Sequence, residues 1–182
     1  MRRIKRKKLV FWTSTIAVVA LAAAAFAYWT ANGTGSGNAS VGTDAGVTIT
    51  NVAFSGGPAS DGTLYPGGTV DVAFDVNNSS SNTAVNVHKV VADDSVYTNG
   101  VEITGPPAAV TGCNPSWFTY SGATLAAAPG QHIAASGTYS APAGSGTGNG
   151  GTLSMSDETS TNQDACKNAA ITLHLKTDNS GI

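Results

Sequence analysis

The sequence predicts an all-β domain, an antiparallel two-layer sandwich of about seven or eight short strands, carried behind one N-terminal apolar helix. Three observations predict it. Apolar residues beyond residue 46 recur with period two, the spacing of a strand with one buried face. Clusters of Gly, Pro, Asn and Ser break the chain every few residues, and no segment after residue 30 has a helical period. The one long apolar run stands near the start, directly behind a block of basic residues.

That block is Arg2, Arg3, Lys5, Arg6, Lys7 and Lys8, six of the nine basic residues. From Leu9 to Trp29 follow 21 residues without a charge, among them Ile16, Leu21, Ala25 and Ala27. As a helix they would extend about 30 Å, the thickness of a bilayer's hydrocarbon core. The basic block would stay on the cytoplasmic side and place the rest of the chain outside. Two readings share this topology. In one, Ile16 to Ala27 is the apolar core of a signal peptide, and Ala25-Phe26-Ala27 is a small-x-small cleavage site, so the mature chain begins at Tyr28. In the other, residues 1–29 are an uncleaved single-pass anchor with Tyr28 and Trp29 at the interface. Localisation is extracytoplasmic in both, and the membrane is a partner at least during export.

Residues 30–46 are mostly Gly, Ser, Thr, Asn and Ala and read as a linker. The domain is expected over 47–177, with a short tail at 178–182. Its clearest strand is Thr69–Val76, with Val70, Val72, Phe74 and Val76 on one face and Asp71, Ala73 and Asp75 on the other. Ile171, Leu173 and Leu175 alternate with Thr172, His174 and Lys176. Val47 and Ile49 are out of phase with Val52 and Phe54, and Val85 and Val87 with Val90. A slip of one residue turns side chains to the wrong face, so bulges or sheet switches are expected at Asn51 and His88. Weaker strands are expected at Val101–Ile103, Trp117–Tyr120, Ile133–Tyr139 and Thr152–Met155. Tyr65-Pro66-Gly67-Gly68 suits a type II turn. This number and spacing of strands over about 130 residues fits an immunoglobulin-like sandwich.

Cys113 and Cys166 are the only cysteines. In an exported domain such a pair reads as a disulfide, here joining the segment before Trp117 to the start of the final strand. Closing a loop of this length stabilises by about 4 kcal/mol in the chain-entropy model.

Ala27-Tyr28-Trp29-Thr30 followed by Gly33-Thr34-Gly35-Ser36-Gly37 resembles the signal region of exported camelysin and biofilm-fibre proteins. It departs from that pattern at Ala31-Asn32, where an acid is common. The resemblance implies processing by a specialised signal peptidase and covers about residues 20–43. The Ala/Gly/Thr-rich body is similar to actinobacterial envelope proteins, and Leu64–Asn78 to the start of the second strand in bacterial surface domains of immunoglobulin-like type. None of these likenesses implies a catalytic residue or a cofactor.

Charge excludes one function class. Beyond residue 8 there are three lysines, Lys89, Lys167 and Lys176, against eleven acids, a net −8 that would repel nucleic acid. The search for chemistry returns little. His88, His132 and His174 share no metal-ligand spacing and read as solvated side chains. No G-x-S-x-G elbow is present. Gly146–Gly151 matches G-x-G-x-x-G in form but lacks the strand–helix context, and reads as a flexible loop. Asp157, Glu158, Asn162 and Asp164 offer oxygen ligands that could hold calcium, without the EF-hand order. Trp117, Phe118 and Tyr120 form the densest aromatic group, as core or as an exposed binding face. No LPxTG signal or apolar tail is seen behind the domain.

The expectation is a non-enzymatic envelope or surface protein for display, adhesion or assembly, with no cofactor, its partners other envelope proteins or copies of itself. If it assembles, residues 28–46 could add as a strand to a neighbour's sheet edge. The alternative is an extracellular carbohydrate- or cation-binding module, and a remote one an extracellular hydrolase.

Overall fold

The computed structural model describes residues 36–37, 46–57, 62–105, 111–167 and 169–179. All described residues belong to one compact unit, 32–182. The apolar segment expected to export or anchor the chain, with Leu9, Ile16, Leu21, Ala25, Ala27 and Trp29, lies outside them. Among the described residues no helix is long and apolar enough to cross a membrane.

Strand is the main regular structure of the described residues, 46% against 9% helical, with no helix of seven residues or more. In chain order the strands are β1 (Ser36–Gly37), β2 (Val47–Ser55), β3 (Thr69–Asn78), β4 (Val85–Val87), β5 (Lys89–Ala92), β6 (Val101–Thr104) and β7 (Phe118–Tyr120). There follow β8 (Ala123–Thr124), β9 (Gln131–Ile133), β10 (Thr138–Ala141), β11 (Thr152–Met155), β12 (Ala170–Leu173) and β13 (Leu175–Asp178). All pairings between them are antiparallel.

One layer is the sheet β1-β2-β3-β11-β7, with β10 also on β3. β10 and β11 run along the same side of β3, Ala141 opposite Phe74 and Thr152 opposite Asp71. Together they are one strand line interrupted by a glycine-rich excursion. The other layer holds the ladders β4–β9, β13–β5–β8 and β12–β6. Breaks at His88 and His174 separate these ladders, and backbone bonds bridge both breaks. Leu125 N–H donates to the His88 carbonyl (2.9 Å), Asp93 N–H to that of His174 (2.8 Å), and His174 N–H to that of Gly100 (2.7 Å).

The two layers enclose one core. Ile49, Val72, Phe74, Val76, Phe118 and Leu153 from the first meet Val87, Val90, Val101, Leu173 and Leu175 from the second, each at most 2% exposed. Burying a side chain of this kind stabilises by roughly 1.5–3 kcal/mol, so these residues hold the layers together. β3 alternates as its sequence predicts, with Val70, Val72, Phe74 and Val76 buried and the residues between them half-buried.

Both expected irregularities are present. The β2–β3 register shifts between Thr50 and Ala53. There Asn51 takes φ 53°, which an Asn tolerates better than most residues, and its amide donates to Asp75 (2.7 Å). At His88 the chain leaves β9 and takes β8 and β13 as partners. The type II turn closes with Gly68 N–H on the Tyr65 carbonyl (2.7 Å), Gly67 at φ 72°.

Three expectations are corrected. Ile133–Tyr139 is not one strand: β9 and β10 lie in different layers, joined by a turn in which Ser136 has φ 55° and Gly137 N–H bonds the Ala134 carbonyl. Trp117 precedes its strand, closing the 3₁₀ turn Pro115–Trp117 whose first amides the Asn114 side chain caps at Ser116 N (3.0 Å). The loop around Gly146–Gly151 does not hang free. Tyr139 Oη donates to the Gly148 carbonyl (2.9 Å), Tyr120 Oη to that of Gly150 (2.6 Å), Gly148 N–H to that of Thr124 (2.8 Å), and Gly150 N–H to that of Pro142 (2.8 Å).

Gly150 is buried in this excursion, where a Cβ would run into the Val72 carbonyl oxygen of the central strand. Gly150→Ala is expected to destabilise by roughly 2–3 kcal/mol, as overpacked cores do. Thermal unfolding followed by circular dichroism checks it, with Asn149→Ala, a half-buried neighbour, as the control expected to lose less.

Candidate functional site

A cluster of titratable side chains, Asp93, Asp94, Tyr97, Glu102, His174 and Lys176, lies where the loop after β5 meets β13 and β6. Its local structure follows from its sequence. Asp93 Oδ1 accepts from Ser95 N (3.3 Å) and Ser95 Oγ (2.7 Å), an Asx-type turn that reverses the chain. Asn99, at φ 56°, begins the return, and its amide donates to the Phe118 carbonyl on the edge strand β7 (2.8 Å). Between them Tyr97 lays its ring on that of His174, centroids 4.4 Å apart and planes 16° apart.

His174 owes its position to the break between Leu173 and Leu175. Both leucines are buried, so the residue between them faces outward, and β6 delivers Glu102 beside it through the pairs Glu102–Thr172 and Val101–Leu173. His174 Nε2 lies 3.0 Å from Glu102 Oε2. Two residues on, Lys176 Nζ meets Asp94 Oδ1 at 2.8 Å and Asp93 Oδ1 at 3.5 Å. Alternation predicted that His174 and Lys176 share the outward face, but the histidine is stacked and half-buried rather than freely solvated.

The charges bias one another. Hydrogen bonds from Ser95, then the Lys176 charge, hold the Asp93 carboxyl below its ordinary value. The Lys176 hydrogen bond does the same to Asp94, and Asp94 in turn raises Lys176. The Glu102 charge, with a smaller contribution from burial, raises the Tyr97 hydroxyl. A carboxylate whose folded pKa is depressed stabilises above its unfolded value, near 3.8, and loses that contribution as pH falls through the lower folded value. The lysine's contribution has the opposite sign and is lost only as pH rises through its raised pKa. The melting difference between the wild type and Lys176→Met should therefore persist from about pH 5 to 9 and vanish toward pH 2. An equal difference at pH 2 would show that the lysine acts through its aliphatic stem.

Chemically this arrangement orients an imidazole between a carboxylate and a phenol ring. Its geometry is that of a clasp holding the loop 93–100 to the sheet.

The residues singled out from the sequence are dispersed. Asp157, Asn162 and Asp164 are exposed and Glu158 half-buried. Gln163, 5% exposed, closes their loop: its Oε1 accepts from Glu158 N and its Nε2 donates to the Ser156 carbonyl, both 3.0 Å. Glu158 Oε1 accepts from Ser156 Oγ and Asn162 Oδ1 from Asp164 N, each at 2.8 Å. Among the described residues no three of His, Cys, Asp and Glu gather as a metal-holding group. His132 is exposed beside Asn86 (3.3 Å), while the Nδ1 of His88 is buried without a hydrogen-bond partner. In the aromatic group Phe118 is buried at 1%, Trp117 and Tyr120 pack against the core, and burial pushes the Tyr120 hydroxyl pKa up.

Cys113 and Cys166 form a disulfide with Cα atoms 4.6 Å apart. It joins the segment before the 3₁₀ turn Pro115–Trp117 to the turn Asp164–Cys166 that leads into β12. Sequence reasoning missed the Tyr97–His174 stack and the buried amide of Gln163. The stack joins residues far apart in sequence, and the Gln163 amide, though it bonds only Ser156 and Glu158 in its own loop, matches no recognised loop motif.

No family model, curated protein or solved structure matches this chain.

Proposed function

We propose that this chain is a non-enzymatic exported protein of the cell envelope or surface, its body an immunoglobulin-like antiparallel sandwich serving display, adhesion or assembly. The observation that carries the reading is the Cys113–Cys166 bridge, a structural disulfide of the kind that persists in oxidising compartments. The basic block at residues 2–8 ahead of the uncharged run 9–29 supports the same compartment, with the body outside. The two-layer antiparallel arrangement around one core supports the immunoglobulin-like description. The membrane is a partner through residues 1–29, by anchoring or during export with cleavage after Ala27. The acidic body argues against nucleic acid as a partner.

The test is the intact mass, N-terminal sequence and thiol state of the protein from membrane, medium and cytosolic fractions of its host. An oxidised species beginning at Tyr28 in the medium marks a released subunit, and an oxidised full-length species in the membrane marks an anchored display domain. A full-length protein in the cytosol with two free thiols overturns the reading.

A further inference from the structure

We propose that Cys166 is a thiol-exchange site. A thiol from outside opens the Cys113–Cys166 bridge there and stays attached as a mixed disulfide, and Cys113 is the sulfur that recloses it. The proposal goes beyond the envelope reading and stands on the bridge itself. The two halves of that bridge differ in burial. Cys113 is 4% exposed and belongs to the core that the two layers share. Cys166 is half-buried and packs against that core. It ends the turn Asp164–Cys166, in which Asp164 is exposed. Both turns are held by bonds that do not involve sulfur. Cys166 N–H donates to the Gln163 carbonyl (3.0 Å), and the Cys166 carbonyl accepts from Ala169 N–H (3.1 Å). On the other side Trp117 N–H donates to the Asn114 carbonyl (3.1 Å).

Exchange begins when a thiolate attacks one sulfur of a disulfide, and access helps decide which sulfur that is. A thiolate reaches Cys166 without entering the core, and reaches Cys113 only where packed side chains already stand. A new S–S bond forms between the outside thiol and Cys166 Sγ. The electron pair of the old bond leaves on Cys113 Sγ, which takes up a proton. A thiolate released among apolar groups is a poor leaving group. That slows the step without redirecting it, because the opposite displacement needs a nucleophile inside the core. Since the two turns keep their own bonds, Cys113 stays beside the mixed disulfide. As a thiolate it then attacks Cys166 Sγ, expels the outside thiol and restores the bridge.

Reduced glutathione is the probe. The full wild-type chain, folded in detergent, is exposed to it over a time course and quenched in acid. Its remaining thiols are alkylated in denaturant, and the peptides are mapped by mass. The early product is expected to carry glutathione on Cys166 and the alkyl group on Cys113. Glutathione on Cys113, on both equally, or on neither overturns the proposal. A second measurement does without the bridge. In Cys113→Ala, Cys166 is expected to react with an aromatic disulfide reagent roughly tenfold faster, or more, than Cys113 does in Cys166→Ala, because access sets the rate. Equal rates in two folded variants overturn the proposal as well. Circular dichroism identifies a variant that has lost its fold, and the wild-type mapping then decides. Neither result bears on the compartment, which the fractionation decides separately.

Discussion

Asn78→Leu should lower the stability of this domain by about 3 kcal/mol, or by roughly 6–12 °C in melting temperature for a domain of this size. Asn78 ends β3 and is 2% exposed. Its Nδ2 donates to the carbonyls of Thr83 (2.8 Å), Ala134 (3.0 Å) and Ile133 (3.3 Å), and its Oδ1 accepts from Ser80 N (3.1 Å). Its own N–H donates to the Gly137 carbonyl (2.9 Å). One side chain thus ties the central strand to the loop that follows it and to the turn where the chain passes from the second layer back to the first. Leucine keeps the volume and strands these buried groups without partners, which is the costly half of losing a hydrogen bond. Asn78→Asp separates polarity from shape. It aims carboxylate oxygens at carbonyls, an arrangement that raises the folded pKa of the new acid. Its destabilisation should therefore be at least as large as that of the leucine at pH 7 and smaller at pH 4, where a protonated carboxyl again offers a donor. Melting curves at the two pH values check both variants, and a loss within 0.5 kcal/mol for Asn78→Leu would show that solvent replaces the amide.

Removing the bridge should cost as much or more. Cys113→Ala/Cys166→Ala opens a loop of sequence separation 53 and is expected to lose about 4 kcal/mol. Either single alanine should behave like the pair, because Cys113 is buried at 4% and both contribute mainly through the bond between them. Denaturant unfolding of the three variants measures the loss. Hydrogen exchange should show it spread through the whole domain if the bond acts on the unfolded chain. Protection lost only around 111–117 and 164–170 would mean instead that it holds those two turns locally.

These two effects differ in how far the sequence announces them. The bridge was legible because two cysteines allow one pairing, and its position between the segment before Trp117 and the start of the last strand followed directly. β3, β11, the Tyr65–Gly68 turn and the bulge at Asn51 were legible because they are local: alternation, Pro-Gly-Gly and a phase slip are written in consecutive residues. Asn78 carries no such signal. In the sequence it is one of several polar residues after a strand, and its worth comes from three carbonyls, two of them more than fifty residues away.

The same division runs through the candidate site. Alternation sets His174 and Lys176 on the outward face of their strand and Leu173 and Leu175 on the inward one. That Tyr97 covers the imidazole, that Glu102 meets its Nε2 and that Asp93 and Asp94 hold the lysine depend on β6 pairing with β12 and β5 with β13. The run Gly146–Gly151 reads as slack chain until the Tyr120 and Tyr139 hydroxyls donate to its carbonyls. By itself, the sequence determined the all-β class, the main strand faces, the turns and the staple, because each rests on backbone preference or side-chain period within a few residues. Only the tertiary structure decided which polar groups become buried partners, because hydrogen bonds of that kind are made between segments whose meeting no local pattern encodes.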